Sequence, residues 1–138
     1  MVIADTGFWL ALANRNDLHH ARAKELLAGL RERLVTTWPV VTETCYLMRS
    51  RLGAKAQQTF VQSYAAGAFD VFDISREQAP RIVAHLKKCA DLPMDLADAS
   101  LLLLAEHLGD GRILSTDLRD FRTYRWKQHK PFKNLLFE

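Results

Sequence analysis

Cysteine is scarce in this sequence, and the two that are present, Cys45 and Cys89, lie far apart. A structural zinc site requires a tighter group of Cys and His residues, so the sequence does not predict one. Long hydrophobic runs are also missing, because the longest, Phe8–Ala13 and Leu101–Ala105, fall far short of the roughly 20 residues that span a bilayer. The first residues include no basic segment, so we expect no signal peptide and a cytoplasmic protein.

A large excess of one charge is missing as well, since the formal net charge of the 138 residues is only +3. The cations are nevertheless concentrated near the end of the chain, where Asp120 is the only acid among Arg119, Arg122, Arg125, Lys127, Lys130 and Lys133. Four aromatic residues are interleaved with them: Phe121, Tyr124, Trp126 and Phe132. Such a segment can hold phosphates and stack unpaired bases, although the aromatics of a core or a dimer interface give the same pattern. The candidate nucleic-acid contacts are Arg119, Arg122, Arg125 and Lys127.

The chain contains short apolar runs that alternate with longer amphipathic segments, and 49% of its residues are hydrophobic. Its length and composition predict one compact domain over residues 1–138. Strands are expected at 1–4, 34–37, 69–74 and 112–115, with an edge strand at 134–137. Helices are expected at 8–13, 17–33, 39–53, 54–66, 75–88 and 96–107. The alternation predicts an α/β fold with a short parallel sheet that helices cover on both faces.

Two acids directly follow strand candidates. Asp5 ends the first apolar run, and Asp117 follows the run at 112–115. Parallel sheets form their sites at the carboxyl ends of the strands, and a buried carboxylate is costly unless it is paired or bound to a metal ion. Each of the two could instead be a turn residue or a helix N-cap. Asp120, three residues further on, is expected to be more exposed.

Two further acids interrupt helices. Glu43 lies on the apolar stripe formed by Val40 and Leu47, unless its stem packs there while its carboxylate reaches water. Asp98 lies near the apolar body of its helix, although an acid in a first helical turn also suits the helix dipole. Asp95 is a good N-cap for the same helix, so we rank it as a supporting residue only.

A functional site is indicated if the fold brings four of these acids together: Asp5, Glu43, Asp98 and Asp117. Clustered carboxylates repel one another and raise each other's pKa values, so such a group needs a cation. Oxygen ligands without nearby His or Cys favour Mg²⁺ or Mn²⁺ over zinc. A cation held there can acidify a water molecule and neutralise charge on a phosphate.

The ordered set of motifs resembles the PIN-domain ribonucleases and, at this length, the VapC-type toxins of toxin–antitoxin pairs. The motifs are VIADTG at 2–7, Glu43 after TTWPVV, DASLL at 98–102 and ILSTDLRDF at 113–121. The resemblance implies a three-layer α/β/α sandwich around a short parallel sheet. It implies metal-binding and catalytic roles for Asp5, Glu43, Asp98 and Asp117, with Thr6 and Ser115 in support.

The same resemblance implies endonucleolytic cleavage of RNA with Mg²⁺ or Mn²⁺, which leaves a 5′-phosphate and a 3′-hydroxyl. It also implies an antitoxin protein that blocks the site and a homodimer, for which Phe8, Trp9 and Trp38 are candidate interface residues. Two alternatives stay open: a catalytically silent PIN-like module that binds RNA or a partner, and a nuclease with the same site that acts on DNA. A phosphoacceptor receiver domain would need paired acids after the first strand, where Asp5 is single.

Overall fold

The computed structural model describes residues 1–137, and its centre is a five-stranded parallel sheet. The strands of the chain are β1 (Val2–Ala4), β2 (Leu34–Thr37), β3 (Asp70–Phe72), β4 (Arg112–Leu114), β5 (Arg125–Trp126), β6 (Lys130–Pro131) and β7 (Lys133–Asn134). In space the parallel sheet has the order β3-β2-β1-β4-β7, whereas β5 and β6 form a separate antiparallel hairpin. The central strand β1 therefore pairs with both β2 and β4, through Ile3 opposite Val35 and Ile113.

The helices of the described residues are α1 (Thr6–Ala13), α2 (His20–Gly29), α3 (Trp38–Leu52), α4 (Ala54–Ala65), α5 (Ala79–Lys88), α6 (Leu96–Leu108) and α7 (Leu118–Thr123). Single 3₁₀ turns lie at Arg76–Gln78 and Leu135–Phe137. None of the helices among residues 1–137 is both long and apolar enough to cross a membrane.

Helices cover both faces of the sheet. Val2, Ile3 and Ala4 are each fully buried, and successive side chains of a strand point to opposite faces. The leucines of α6 explain part of this cover, since Leu101 and Leu104 are also fully buried. The predicted three-layer α/β/α fold is thus confirmed, with the carboxyl ends of β1 and β4 side by side.

Most expected elements are present, but α2 is shorter than predicted. The expectation of a helix from Asp17 to about residue 33 is wrong, because the Asp17 carboxylate accepts the backbone N–H of His19 at 2.8 Å and forms a turn instead of an N-cap. The expected edge strand at 134–137 is shifted to Lys133–Asn134 and followed by a 3₁₀ turn. The sequence analysis did not predict α7 or the β5–β6 hairpin.

An aromatic cluster in the core fixes α1 against the sheet. The ring of Trp9 lies 4.6 Å from that of Phe69 and 5.4 Å from that of Phe60, between centroids. Phe8 and Trp9 are buried in this core, so the expectation that they offer apolar surface to a dimer is wrong. Trp38 remains 44% exposed.

Gly111 provides the space in which the β5–β6 hairpin packs. A Cβ atom at this position would lie 2.2 Å from Nε1 of Trp126, and Trp126 is itself buried. We expect Gly111→Ala to lower the free energy of unfolding by about 2 kcal/mol, because a rigid indole ring must move. Urea denaturation measures the change. Gly29→Ala is the control, because its added Cβ has no neighbour within 4 Å; equal stability of the two variants would contradict the prediction.

Candidate active site

An acidic pocket of about 290 Å³ lies at the carboxyl ends of β1 and β4. The structure brings together in it all four acids that the sequence analysis singled out, together with Asp95 and Asp120. The lining residues are Asp5, Thr6, Gly7, Leu10, Glu43, Leu47, Pro93, Asp95, Asp98, Thr116, Asp117 and Asp120. Residues from both ends of the chain meet here because β1 and β4 are neighbouring strands: the backbone N–H of Asp5 donates to the carbonyl of Leu114 at 3.0 Å.

Asp5 is the most deeply buried of these acids, with 7% of its surface exposed. It is the N-cap of α1, where Oδ1 accepts the backbone N–H of Thr6 at 2.7 Å. Its Oδ2 accepts the hydroxyl of the fully buried Ser115 at 3.0 Å. Burial raises the pKa of Asp5 to about 6; the two hydrogen bonds oppose this rise, while Glu43 and Asp117 add to it.

Asp98 and Asp95 form a reciprocal capping box at the start of α6. The backbone N–H of Asp98 donates to Oδ1 of Asp95 at 2.9 Å, and that of Asp95 donates to Oδ2 of Asp98 at 3.4 Å. The hydroxyl of Tyr124 donates to the same Oδ2 at 3.3 Å. Burial, followed by the charges of Asp95 and Asp5, raises the pKa of Asp98 to about 7.

Glu43 reaches the pocket from the second turn of α3. Buried neighbours on the same helix, Val40 and Thr44 among them, pack α3 into the core and leave Glu43 half-buried at its edge. Its Oε2 accepts the hydroxyl of Thr6 at 3.3 Å. Burial raises the pKa of Glu43, the charge of Asp95 raises it further, and the bond from Thr6 opposes the shift.

Asp117 and Asp120 enter the pocket from the start of α7. Asp117 caps this helix by accepting the backbone N–H of Asp120 at 3.1 Å, and its own N–H donates to Oγ of Ser115 at 3.0 Å. Asp120 was expected to be exposed; it is instead half-buried and lines the pocket. Burial and the neighbouring Asp117 raise the pKa of Asp120.

These acids can cap helices and still belong to one site. Asp5, Asp95 and Asp117 do cap helices, but α1, α6 and α7 all begin at the same pocket. Helix N-termini carry only partial positive charge, which compensates part of the repulsion. Among the described residues that line the pocket, none is a Lys, Arg or His. Burial is the main cause of the raised carboxylate pKa values, and the charges of neighbouring acids raise them further.

The donor atoms of the pocket are of the chemical type that a hard divalent cation prefers. They are carboxylate oxygens without nitrogen or sulfur, which is the preference of Mg²⁺ and Mn²⁺. Within residues 1–137, however, no three His, Cys, Asp or Glu side chains are already arranged to hold one metal ion. Bringing three carboxylates onto one ion would therefore require side-chain rotation within the pocket.

Sequence reasoning missed two features of the pocket. Tyr124 hydrogen-bonds to Asp98 from 26 positions away, and nothing in the spacing of the motifs indicates this contact. Gly7 allows the turn after Asp5 to approach the loop after β4: a Cβ there would lie 1.8 Å from Oγ1 of Thr116. The sequence Asp-Thr-Gly is a signal for a turn but not for this close approach.

The aromatic residues of the basic segment do not form a stacking surface. Phe121, Tyr124 and Trp126 are buried, and Phe132 is half-buried, so of the two alternatives that the sequence left open, the structure supports rings that pack in the core. Their apolar area is used to pack α7 and the hairpin onto the core. Arg125 donates from Nη1 to the carbonyls of Arg122, Thr123 and Tyr124, as a cap on the C-terminus of α7. Three further candidates, Arg119, Arg122 and Lys127, are exposed.

Comparisons with known protein sequences all indicate the same family. The family model of the PIN domain matches residues 2–127. Ribonuclease VapC26 of Mycobacterium tuberculosis is 32% identical over 127 residues, which cover 90% of this chain and 92% of that protein. The 23S rRNA-specific endonuclease VapC20 of the same organism is 39% identical over 56 residues, or 41% of this chain and 43% of that protein.

Solved structures share the fold. The crystal structure of M. tuberculosis VapC20, described as a toxin that cleaves the sarcin–ricin loop, superposes with a TM-score of 0.76 at 22% identity. It covers 82% of this chain and 87% of its own. A toxin–antitoxin complex from Klebsiella pneumoniae gives a TM-score of 0.62 at 20% identity and covers 88% of this chain and 90% of the matched chain. At these identities the likeness shows the fold alone.

Proposed function

The chain belongs to the PIN-domain family and, within it, to the VapC ribonucleases, and on that premise we propose that it is a Mg²⁺- or Mn²⁺-dependent endoribonuclease, the toxin of a toxin–antitoxin pair. The observation that carries the proposal is the convergence of Asp5, Glu43, Asp98 and Asp117 in one pocket with no full positive charge in its lining. Hydrolysis of a phosphodiester needs positive charge beside the phosphate and an activated water molecule. A divalent cation bound by these acids would provide both, so the acids suit a nuclease.

Asp5 is the central residue of the proposed site. Its carboxylate is fixed at both oxygens, by the Thr6 N–H and the Ser115 hydroxyl. Binding of a cation therefore costs little side-chain conformational entropy at Asp5. Asp98 is fixed through Oδ2, and its Oδ1 has no hydrogen-bond partner among residues 1–137. Glu43 and Asp117 complete the metal-binding and catalytic set, and Thr6, Ser115 and Asp95 support it by hydrogen bonds.

Asp5, Glu43, Asp98 and Asp117 would hold a divalent cation, which would supply positive charge for the phosphate oxygens and lower the pKa of the attacking water. The chain itself then has three tasks: to orient the carboxylates, to keep the scissile phosphate at the pocket, and to hold the rest of the polyanion despite the acidic lining. Attack of the water oxygen on phosphorus breaks the bond to the 3′ oxygen, which takes up a proton. The products are a 5′-phosphate and a 3′-hydroxyl.

RNA, and structured ribosomal RNA in particular, is the proposed substrate class. VapC26 is named a ribonuclease, and VapC20 is named a 23S rRNA-specific endonuclease. The exposed cations Arg119, Arg122 and Lys127, together with the guanidinium of Arg125, are the proposed nucleic-acid contacts. Such an enzyme would work in the cytoplasm, where ribosomal RNA is found.

The proposed protein partners are a cognate antitoxin and a second copy of the chain. The antitoxin is supported by the toxin–antitoxin complex that shares the fold. The homodimer is supported by an apolar groove beside the acidic pocket, in which Trp38, Tyr46 and Leu96 are 44%, 71% and 54% exposed. Large apolar side chains exposed together are typical of a surface that another protein covers.

Tyr124→Phe tests how the pocket holds its carboxylates. We expect about a tenfold weaker affinity for Mn²⁺, because loss of the hydroxyl frees Asp98 to rotate, as loss of other outer hydrogen bonds does at metal sites. Titration calorimetry measures the affinity. Tyr64→Phe is the control, since its hydroxyl makes no hydrogen bond within residues 1–137; Mn²⁺ affinities that agree for both variants and wild type would refute this role of Tyr124.

The function itself is tested by incubating the purified protein with total RNA and with a labelled DNA, each with Mn²⁺ or with EDTA. Asp5→Asn and Asp98→Asn serve as inactive variants, and Glu77→Gln is the charge-matched control, because Glu77 is exposed on the 3₁₀ turn before α5. We expect Mn²⁺-dependent RNA fragments with 5′-phosphates from the wild type and the control only. Cleavage that is equal in all lanes would identify a contaminant, and RNA binding without cleavage would favour a silent module.

A further inference from the structure

The last part of the chain carries charge that the proposed catalytic pocket does not use. Between Phe121 and Phe137 there are five Lys or Arg residues and no acid. Since the net charge of the whole sequence is only +3, the rest of the chain is net negative. The net positive charge of the protein therefore comes from this segment, which follows the acidic pocket along the chain.

Part of this segment forms an ordered hairpin. Strands β5 and β6 pair in antiparallel fashion, and the turn between them places Lys127 and Gln128 at φ values of 46° and 70°. Such left-handed conformations cost free energy in residues other than glycine, so contacts must hold the turn. Lys88 of α5 donates to the carbonyl of Gln128 at 3.0 Å, and Nε1 of the buried Trp126 donates to the carbonyl of Pro131 at 3.0 Å.

The cations on this hairpin are available to a ligand. The Nζ atoms of Lys127 and Lys130 lie 5.8 Å and 5.1 Å from the centroid of the Trp126 ring, and both residues are exposed. Contact with an aromatic ring positions an ammonium group but leaves its charge uncompensated. None of the ion pairs among residues 1–137 involves Arg119, Arg122, Lys127 or Lys130. We call these four residues the basic arm: Arg119 and Arg122 lie on α7, and Lys127 and Lys130 lie on the hairpin.

The basic arm is joined to the catalytic pocket by short connections. Asp117 of the pocket caps α7, which carries Arg119 and Arg122 and is only about 9 Å long for its six residues. Tyr124, immediately before β5, reaches Asp98 with its hydroxyl at 3.3 Å. Lys127 follows three residues later and cannot lie more than about 10 Å further along the chain. A few nucleotides of RNA span such distances.

The match to the family model ends inside the hairpin. The PIN family model ends at residue 127, within the turn, so β6 and Lys130 lie beyond it. The pocket repels a polyanion through its six acids, and a nuclease built on it needs cations that hold the backbone on either side of the scissile phosphate.

We propose that the basic arm grips phosphates of the RNA backbone next to the scissile position. The choice of RNA as the occupant rests on the proposed function, whereas the grip itself rests on the hairpin, its exposed cations and its link to Asp98. The recognition is through phosphates rather than bases, because the aromatic rings between the cations are buried and no stacking surface accompanies them.

The test measures RNA binding in EDTA, in which no cleavage is expected. A fluorescein-labelled RNA hairpin is titrated at several KCl concentrations with wild type, with Lys127→Gln/Lys130→Gln, and with Arg119→Gln/Arg122→Gln. The control is Lys24→Gln/Arg31→Gln, which removes the same charge from exposed residues of α2 and the segment after it. Two lost phosphate contacts should lower the slope of log Kd against log salt by about 1.5 and weaken binding at low salt about tenfold.

We expect both arm variants to lose affinity and slope while the control keeps those of the wild type. Unchanged slopes in both arm variants, or an equal loss in the control, would overturn the grip, even if wild-type RNA cleavage is normal. Conversely, if no protein cleaves RNA but the arm variants alone lose slope, the grip stands and the proposed catalytic function fails. Circular dichroism and thermal melting establish that each variant is folded.

Discussion

Asp5→Asn should reduce RNA cleavage at least about a hundredfold while leaving the protein folded. The loss follows from geometry, because Asp5 lies at the centre of the pocket and is the acid that both Thr6 and Ser115 orient. An asparagine keeps the volume and can still accept the N–H of Thr6, so α1 keeps its cap. What disappears is the buried negative charge. Initial rates of cleavage of a labelled RNA with Mn²⁺ measure the effect.

The same variant should be at least as stable as the wild type in EDTA above about pH 7. Burial of the Asp5 charge opposes folding, and the substitution removes that cost. A stabilised but inactive variant is the signature of a residue kept for function rather than for the fold. If Asp5→Asn instead unfolds, or cleaves RNA like the wild type, the central role of Asp5 is refuted. Glu77→Gln, which removes an exposed charge, should change neither rate nor stability.

Stability without metal should fall as the pH rises from about 4.5 to about 7.5. The sign follows from the pKa of Asp5, which burial raises to about 6. Between the ordinary value and the raised one, the folded chain holds a proton that the unfolded chain has released, so increasing pH favours unfolding. A rise of this size corresponds to about 3 kcal/mol. Asp98, with a pKa raised to about 7 but more exposed, adds a smaller effect in the same direction.

Other carboxylates act in the opposite direction but at lower pH. Arg112 and Arg33 lower the pKa values of Asp110 and Asp70, so the stability that they contribute is present above the ordinary carboxylate range and is lost on acidification. The interval between about pH 4.5 and 7.5 therefore lies above the range in which these two carboxylates act, and comparison with Asp5→Asn isolates the effect of Asp5. Urea denaturation in EDTA across this interval, for wild type and Asp5→Asn, measures the effect. A wild-type curve that is flat or rises, or that Asp5→Asn does not flatten, would contradict the prediction.

Addition of Mn²⁺ should restore the stability lost at high pH, because a ligand that binds only the folded state stabilises it by mass action. The structure makes this expectation specific: the four described carboxylates whose pKa values are raised, Asp5, Glu43, Asp98 and Asp120, all line the pocket. Glu32, at an exposed ion pair with Arg112, has a lowered pKa instead.

The sequence predicted most of the strands and helices that place the pocket, although not α7, because their apolar runs are short and their caps are well marked. Asp5 and Asp117 could be assigned to strand ends on that basis, and parallel strands bring their carboxyl ends to one edge. The sequence could not determine which strands are neighbours. The pairing of β1 with β4 brings Asp5 beside Ser115, 110 residues later, and it depends on packing of the whole sheet.

The end of the chain was the least predictable part. Its aromatics and cations alternate, which is compatible with a binding surface or with a packed hairpin. The structure buries Tyr124 and Trp126 and leaves Lys127 and Lys130 exposed, so the two roles are divided between residue types. Local pattern does not reveal this, since the turn uses left-handed residues without glycine and is held by Lys88 from α5. Asp120 was misjudged for a related reason, because α7 was not predicted.

Direct binding of Mn²⁺ tests the account at its centre, without dependence on any RNA substrate. Titration calorimetry near neutral pH compares wild type, Asp5→Asn, Asp98→Asn and Glu77→Gln. We expect wild type and Glu77→Gln to bind Mn²⁺ equally, and each pocket variant to bind at least about tenfold more weakly. A wild-type protein that binds no divalent cation, or pocket variants that bind as tightly as it does, would contradict the assignment of this acidic pocket as a metal-dependent active site.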